Sequence, residues 1–342
     1  MGRAPSAREQ GRRSAAGALL RFLSLAALIP WPLVACADTA PREPIDIAIA
    51  ESTIHVEFRG PEIARGRDEL LIWVRRSANI VRGYYGFFPA HQANIRLTTV
   101  EGNSVRGGHA WGGNAMAIQV SVGRDIEPDT LLRDWVLVHE MIHLALPEVG
   151  DDQNWLAEGI ATYVEGIARV QAGNMTEADL WEEYVDSMPK GLPAAGDEGL
   201  DRTHTWARTY WGGALFCLLA DVQTLEKTSG RAGLQTALTA VARESGGMRA
   251  EWPAARVFEV GDAATGTTVL TDLYRSMRDK PVTPDLPRLW QRMGIIAAGD
   301  SVRFDDNAPL ANVRRNITRP RAAPADSSDE KRGSQTPAGG GR

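Results

Sequence analysis

Cysteine is nearly absent from this 342-residue sequence, which contains only Cys36 and Cys217. If Cys36 is modified, or removed with the N-terminal segment described below, no intramolecular disulfide can form, and stability must come from the hydrophobic core. With 43% hydrophobic residues, the composition is that of an ordinary globular protein that can build such a core. Cys217 lies in an apolar segment, so we expect a buried and unreactive thiol.

The sequence also lacks an excess of basic residues, because 38 Lys and Arg face 43 Asp and Glu and give a formal net charge of −5. The basic residues are concentrated at the two ends. Residues 1–35 carry a net charge of +4 and residues 319–342 carry +2, which leaves −11 for residues 36–318. An acidic body argues against a broad nucleic-acid-binding surface, and we expect no nucleic acid among the partners.

No uninterrupted apolar run near the N-terminus reaches the roughly 20 residues that a bilayer requires. The run from Ala15 to Ala35 is interrupted by Arg21, Pro30 and Pro32, and four Arg precede it, which is the arrangement of an export signal. Residues 33–36, Leu-Val-Ala-Cys, resemble the lipobox of bacterial lipoproteins, in which the Cys is lipidated and becomes the first residue of the mature protein.

From this resemblance we expect a lipoprotein signal peptide over residues 1–35, lipidation of Cys36 and a short tether over residues 36–44. The protein would then be exported and held on a membrane of the bacterial cell envelope by its lipid anchor alone. The alternative is a small-x-small site at residues 35–37 for ordinary signal peptidase, which would release a soluble periplasmic protein beginning at Asp38.

The rest of the chain divides into a strand-rich part and a helical part. Apolar alternation predicts a strand or hairpin over residues 45–58 and strands over 95–100 and 115–122, and the Gly-rich residues 107–113 predict a loop. Helical periodicity predicts helices over residues 62–81, 129–146, 154–172, 205–228, 233–243 and 268–278. Strands followed by helices favour one α+β domain over residues 45–318, strand-rich over 45–128 and helical over 129–318. The Pro-, Ser- and Gly-rich residues 319–342 predict a disordered tail.

The predicted helix over residues 129–146 contains the sequence His139-Glu140-Met141-Ile142-His143. Residues i and i+4 share one face of a helix, so both imidazoles can reach one metal ion, and Glu140 projects beside them as a candidate base. The rest of this helix is almost entirely apolar, which predicts burial. Burying two His and a Glu without partners is costly, and a bound metal ion removes that cost. The alternative is a hydrogen-bonded pair of core histidines.

A catalytic zinc site needs a third protein ligand and one open position for water. The next predicted helix supplies Glu158 within residues 155–163, Trp-Leu-Ala-Glu-Gly-Ile-Ala-Thr-Tyr, and Glu165 is a rival seven residues further on. The two motifs together resemble the gluzincin metallopeptidases, in particular the bacterial peptidase MA-like and glycyl aminopeptidase-like groups. The resemblance implies a zincin-like metallopeptidase fold, with an N-terminal mixed sheet, and one Zn²⁺ per chain held by His139, His143 and Glu158.

Residues 208–215, Arg-Thr-Tyr-Trp-Gly-Gly-Ala-Leu, are similar to the Tyr-x-x-Gly helix of the aminopeptidase-like gluzincins. In those enzymes the Tyr hydroxyl stabilises the oxyanion of the tetrahedral intermediate, a role that the resemblance assigns to Tyr210. His204 and His109 are alternatives for the same role.

Residues 112–118 contain no carboxylate, although aminopeptidases of this clan place an acidic residue in the corresponding segment to hold the free amine of the substrate. Cleavage within a chain and cleavage at its terminus therefore both stay open. We expect the strand over residues 115–122 to pair with the extended backbone of a peptide.

The sequence thus predicts a zinc-dependent peptidase of the bacterial cell envelope that acts on a peptide or protein substrate, with Glu140 as the general base. One alternative is a catalytically inactive, peptidase-like lipoprotein whose groove binds a partner. Another is a metal-carrier lipoprotein, but the chain contains only six His and no His-rich run.

Overall fold

The computed structural model describes residues 43–62, 66–113, 115–299 and 301–320. The predictions for the signal peptide, for Cys36, for most of the tether and for tail residues 321–342 lie outside these ranges. Within them, no helix combines the length and the hydropathy that a membrane span requires.

The N-terminal part is a mixed five-stranded sheet formed by β1 (Ile45–Ile49), β2 (Ser52–Arg59), β3 (Gln92–Val100), β4 (Val105–Trp111) and β5 (Met116–Gly123). The strand order is β1-β2-β3-β5-β4. Strands β2, β3 and β5 run parallel to one another, whereas β1 and β4 are antiparallel to their neighbours and form the two edges.

The alternation of side chains explains which face of the sheet is buried. Val56, Ile95 and Ile118 are direct neighbours across the three parallel strands and are almost fully buried. One position further along, Glu57 and Arg96 face the opposite side and form an ion pair at 3.3 Å. The apolar face therefore packs against helices, and the polar face is turned outward.

The prediction of a loop over residues 107–113 was wrong for residues 107–111, which belong to β4, and only residues 112 and 113 lie outside the strand. Glycine is unfavourable in strands, but an edge strand tolerates it where another group approaches closely. Gly107 has a φ of 123° at an irregularity in the pairing with β5, and Gly108 lies against a helix below the strand.

The expectation that residues 115–122 would pair with a peptide was also wrong. Strand β5 already has β3 on one side and β4 on the other, so both of its edges are occupied. Strand β4, like β1 at the opposite edge, has only one neighbour in this sheet, and its outer edge is a position where an additional strand can pair.

Four helices pack against the apolar face of the sheet or against one another: α1 (Arg67–Tyr85), α2 (Pro128–Arg133), α3 (Val136–His143) and α4 (Asn154–Gln171). Helix α1 contacts β1, α3 and α4, and α3 contacts β4 and β5.

The C-terminal part that follows α4 is helical apart from a small hairpin of β6 (Ile295–Ala297) and β7 (Val302–Phe304). Its helices are α5 (Glu177–Ser187), α6 (Gly213–Lys227), α7 (Leu234–Ser245), α8 (Ala254–Thr265), α9 (Val269–Met277), α10 (Leu286–Met293) and α11 (Ala311–Thr318).

The single helix predicted over residues 129–146 is interrupted. Asp134 has an extended backbone, and its carboxylate accepts a hydrogen bond from the backbone N–H of Val136 at 2.8 Å, which ends α2 and starts α3 in a new direction. Helix α3 ends at His143, and a tighter i to i+3 bond from Leu146 to the carbonyl of His143 closes the last turn. As expected, residues 136–142 are buried. Cys217 is buried and free, also as expected.

Helices α4 and α6 cross with their backbones in contact. A Cβ atom added to Gly159 would lie 2.3 Å from the Cα of Gly213, and one added to Gly213 would lie 2.2 Å from the carbonyl oxygen of Trp155. Only glycine leaves room for this approach. The crossing fixes α4 against the segment that precedes α6.

We expect Gly159→Ala to destabilise the protein by about 1–3 kcal/mol or more, because the added methyl overpacks a rigid backbone contact. The matched control is Gly83→Ala in α1, where an added Cβ meets no atom within 4 Å. That variant should be more stable than the wild type by about 0.4–1 kcal/mol. Urea unfolding measures both, and equal effects of the two substitutions would contradict the close crossing.

Candidate metal centre

Two helices bring three metal-ligand side chains together. His139 and His143 lie one turn apart on α3, and Glu158 reaches them from α4. The Oε2 atom of Glu158 is 3.3 Å from Nε2 of His139 and 3.5 Å from Nε2 of His143. The three ligand atoms lie within 4.8 Å of one another. Among the residues that the structure describes, no other group of three His, Cys, Asp or Glu side chains meets this condition.

The spacing of these atoms fits a metal ion. With zinc–ligand bonds of about 2.0–2.1 Å, the ligand atoms of a tetrahedral site are about 3.3–3.4 Å apart, which matches the two distances to Glu158. Two imidazole nitrogens and one carboxylate oxygen are also a common donor set of zinc enzymes. The side chains are shielded from water, with exposed fractions of 6% for His139, 11% for His143 and 19% for Glu158.

The electrostatics of the cluster also favour a bound cation. Burial opposes charge on Glu158, but hydrogen bonds to both histidines, together with their charges, hold its pKa well below the usual range. Burial lowers the pKa of His139 and so disfavours the charged form of its ring. Burial also disfavours charge on His143, yet the hydrogen bond and charge of Glu158 and the charge of Glu140 raise its pKa. The two carboxylates thus make this position attractive to positive charge.

Glu140 lies on α3 directly below the edge strand. The backbone N–H of Ala110 in β4 donates a hydrogen bond to its carboxylate, and a Cβ atom added to Gly108 would lie 2.6 Å from its Cγ. Burial raises the pKa of Glu140 to about 7, while the charge of His143 lowers it and that of Glu158 raises it. A carboxyl group with a pKa near neutrality can both accept and return a proton.

Tyr210 reaches the cluster from a π-helical turn, Arg208–Gly212, which leads into α6. Such turns are rare and often occur at functional sites. The Tyr210 ring lies 6.3 Å from the His139 ring at an interplanar angle of 18°. Burial, and then the charge and hydrogen bond of Glu158, raise the pKa of Tyr210 to about 12, so the hydroxyl is a neutral donor beside the cluster.

The three other candidate residues from the sequence differ in whether they reach the site. His109 lines the same cleft from β4 and stacks on Trp111 at 5.8 Å. His204 does not line the cleft and is exposed near Asp152, at 3.8 Å. Glu165 does not belong to the cluster, because its carboxylate pairs with Arg169 on α4 at 3.3 Å.

No protein-family model matches the chain, and no curated protein matches its sequence. Solved structures do match its fold. An aminopeptidase N family protein from Idiomarina loihiensis aligns with a TM-score of 0.55 over 74% of this chain and 49% of its own, at 14% sequence identity. An M1 zinc metallopeptidase from Deinococcus radiodurans aligns over 72% of this chain and 53% of its own, at 15% identity and a TM-score of 0.46. The chain spans about half the length of the solved structures that it matches.

The chain has an α+β fold similar to that of the aminopeptidase N family protein. The similarity to the first of these structures carries this conclusion and concerns the fold alone. It confirms the predicted α+β class, with a mixed sheet at the N-terminal end and helices in the C-terminal part.

The cleft above the cluster has a volume of about 340 Å³ and includes residues that the sequence did not indicate. Glu148 and Asp151 line it beyond the end of α3, and Met248 closes it from the segment after α7. Both acidic residues follow Pro147 within a few positions, so their place directly after the histidine helix could have indicated them from the sequence. Met248 is far away in the sequence and no spacing links it to the motif.

The contact between Gly108 and Glu140 can be tested by measurements of stability, with no assay of enzymatic activity. We expect Gly108→Ala to destabilise the wild type by about 1–3 kcal/mol, because the added methyl overlaps the Glu140 side chain. In a Glu140→Ala background the overlapping atoms are gone, and the same substitution should be close to neutral. Urea unfolding of the four proteins gives the coupling energy, which is expected to be about 0.5–3 kcal/mol. Additive effects would show that β4 does not lie over Glu140.

Proposed function

We propose that the protein is a zinc-dependent peptidase of the bacterial cell envelope that hydrolyses peptide bonds. The observation that carries the proposal is the convergence of His139, His143 and Glu158 on one point, with the Glu140 carboxylate beside them and below an open strand edge. The envelope location is supported by the leader pattern of residues 1–36 alone.

His139, His143 and Glu158 would hold the zinc ion. When bound, the ion would supply Lewis acidity, which polarises a scissile carbonyl and makes water a stronger nucleophile. Glu140, whose carboxylate lines the cleft beside the three ligands, accepts a proton from the attacking water and passes it to the leaving amine. The Tyr210 hydroxyl donates a hydrogen bond to the developing oxyanion.

The edge strand positions the substrate. An extended peptide can pair with the outer edge of β4 and so pass over Glu140. Gly107 and Gly108 present no side chains along this path. Backbone pairing would hold many sequences in the same register, and selection among them must then come from pockets for side chains.

The proposed ligands predict how single substitutions change metal binding. We expect one Zn²⁺ per chain for the wild type in equilibrium dialysis with metal analysis. Glu158→Gln should weaken binding strongly, because the neutral amide is a poor zinc ligand. The matched control is Glu165→Gln on the same helix, which should retain stoichiometric zinc. Loss of zinc from the control alone would transfer the ligand role to Glu165.

The general base is tested by Glu140→Gln in the zinc-loaded protein. The amide keeps the size of the side chain but cannot accept the proton, so hydrolysis should fall by about 10²–10⁴-fold while zinc remains bound. Mass spectrometry of a mixed peptide digest measures the products. Undiminished hydrolysis by this variant would refute the assigned role. Binding of peptides without hydrolysis by the wild type would favour a non-enzymatic envelope factor.

A further inference from the structure

A second cavity, of about 200 Å³, adjoins the candidate metal centre. His139 and Tyr210 line both this cavity and the cleft above the cluster, so they form a shared wall. The other residues around the second cavity come from α4, α5 and the segments before α3 and α6: Trp135, Thr162, Glu165, Glu183, Lys190, Trp206 and Trp211. A group bound at the cluster is therefore next to this cavity, which we call the tryptophan pocket.

Two walls of the tryptophan pocket are exposed indole rings. Trp135 is 48% exposed and Trp206 is 62% exposed. Both are held against the site, because Trp206 stacks on Tyr210 at 5.5 Å and Trp135 meets the edge of the His139 ring, also at 5.5 Å. Large apolar surface that is ordered but left open to solvent, with polar residues around it, is typical of a binding site.

Apart from the shared wall, the pocket contains three ionisable side chains, Glu165, Glu183 and Lys190. Glu165 pairs with Arg169 at 3.3 Å, and the charges of Arg169 and Lys190 both act on Glu183. The Lys190 ammonium also lies 5.8 Å from the centre of the Trp211 ring. Burial raises the pKa of both carboxyl groups, to about 8 for Glu165, and so disfavours their charged forms. The pocket therefore favours a neutral occupant.

The size of the pocket further limits which side chain it can bind. A buried cavity of about 150 Å³ is enough to hold a benzene ring. A volume of about 200 Å³ accommodates a benzyl, hydroxybenzyl or indole group, whereas a methyl group would leave most of it empty. Aromatic rings pack well against other aromatic rings in edge-on and offset arrangements, which Trp135, Trp206 and Trp211 offer from three positions.

We propose that the tryptophan pocket binds a neutral aromatic side chain of the substrate and so directs cleavage to bonds beside Phe, Tyr or Trp. The cleavage part of this inference rests on the proposed function. The binding part does not, because it requires only the pocket and a peptide.

The test uses the full chain loaded with zinc and a set of heptapeptides that are identical except for one central residue, which is Phe, Tyr, Trp, Ala or Lys. We expect kcat/KM to be at least about 10-fold higher for the aromatic peptides than for the Ala and Lys peptides, which is the range that added apolar contacts in one pocket supply. In Trp206→Ala, the ratio of aromatic to Ala peptides should fall by about the same factor. The control is Ile72→Ala, which truncates an exposed apolar residue of α1 outside both cavities and should keep the ratio.

A binding measurement separates this inference from the proposed function. Calorimetry with zinc-loaded Glu140→Gln should show tighter binding of the aromatic peptides, and Trp206→Ala introduced into that variant should abolish the difference. If no peptide is cleaved by the wild type but this preference is present, the proposed function fails and the pocket stands. If peptides are cleaved or bound without aromatic preference, or if Trp206→Ala leaves the preference intact, the pocket assignment is overturned.

Discussion

The backbone contact between Gly159 and Gly213 is the constraint on which the site depends. Gly159 follows Glu158 directly, and Gly213 comes three residues after Tyr210, so one crossing of two helices sets the positions of both side chains. A larger residue at either glycine would separate the helices and move the carboxylate away from His139 and His143. This gives a physical reason for glycine after the glutamate, where the sequence alone offers only a motif.

A second contact couples the sheet to the same helices. Strand β4 carries Gly108 and Ala110 on the face turned toward α3, and both lie close to Glu140. The strand thus contributes a backbone donor to the carboxylate on one side and an unpaired edge on the other. The position of the Glu140 carboxylate relative to the open edge is therefore set by one strand, without an intervening loop.

Long periodic segments and the close spacing of the histidines were readable from the sequence, and α1, α3, α4, α6 and α7 follow from them. The Gly-rich strand was not readable, because its place depends on the approach of Glu140 rather than on strand propensity. The interruption at Asp134 was hidden by the apolar residues on either side. Short helices such as α10 and α11 carry too few turns to show a clear period. The tryptophan pocket combines residues from Trp135 to Trp211, and no local spacing indicates that they meet.

The glycines of β4 have a further consequence for the protein in a crowded compartment. An exposed edge strand is a template on which other chains can pair and aggregate. Segments that form cross-β fibrils have high strand propensity, low charge and few glycines. The sequence of β4, Val-Arg-Gly-Gly-His-Ala-Trp, has two adjacent glycines and a charged arginine. The strand can therefore leave its edge unpaired while remaining a poor nucleus for lasting self-association.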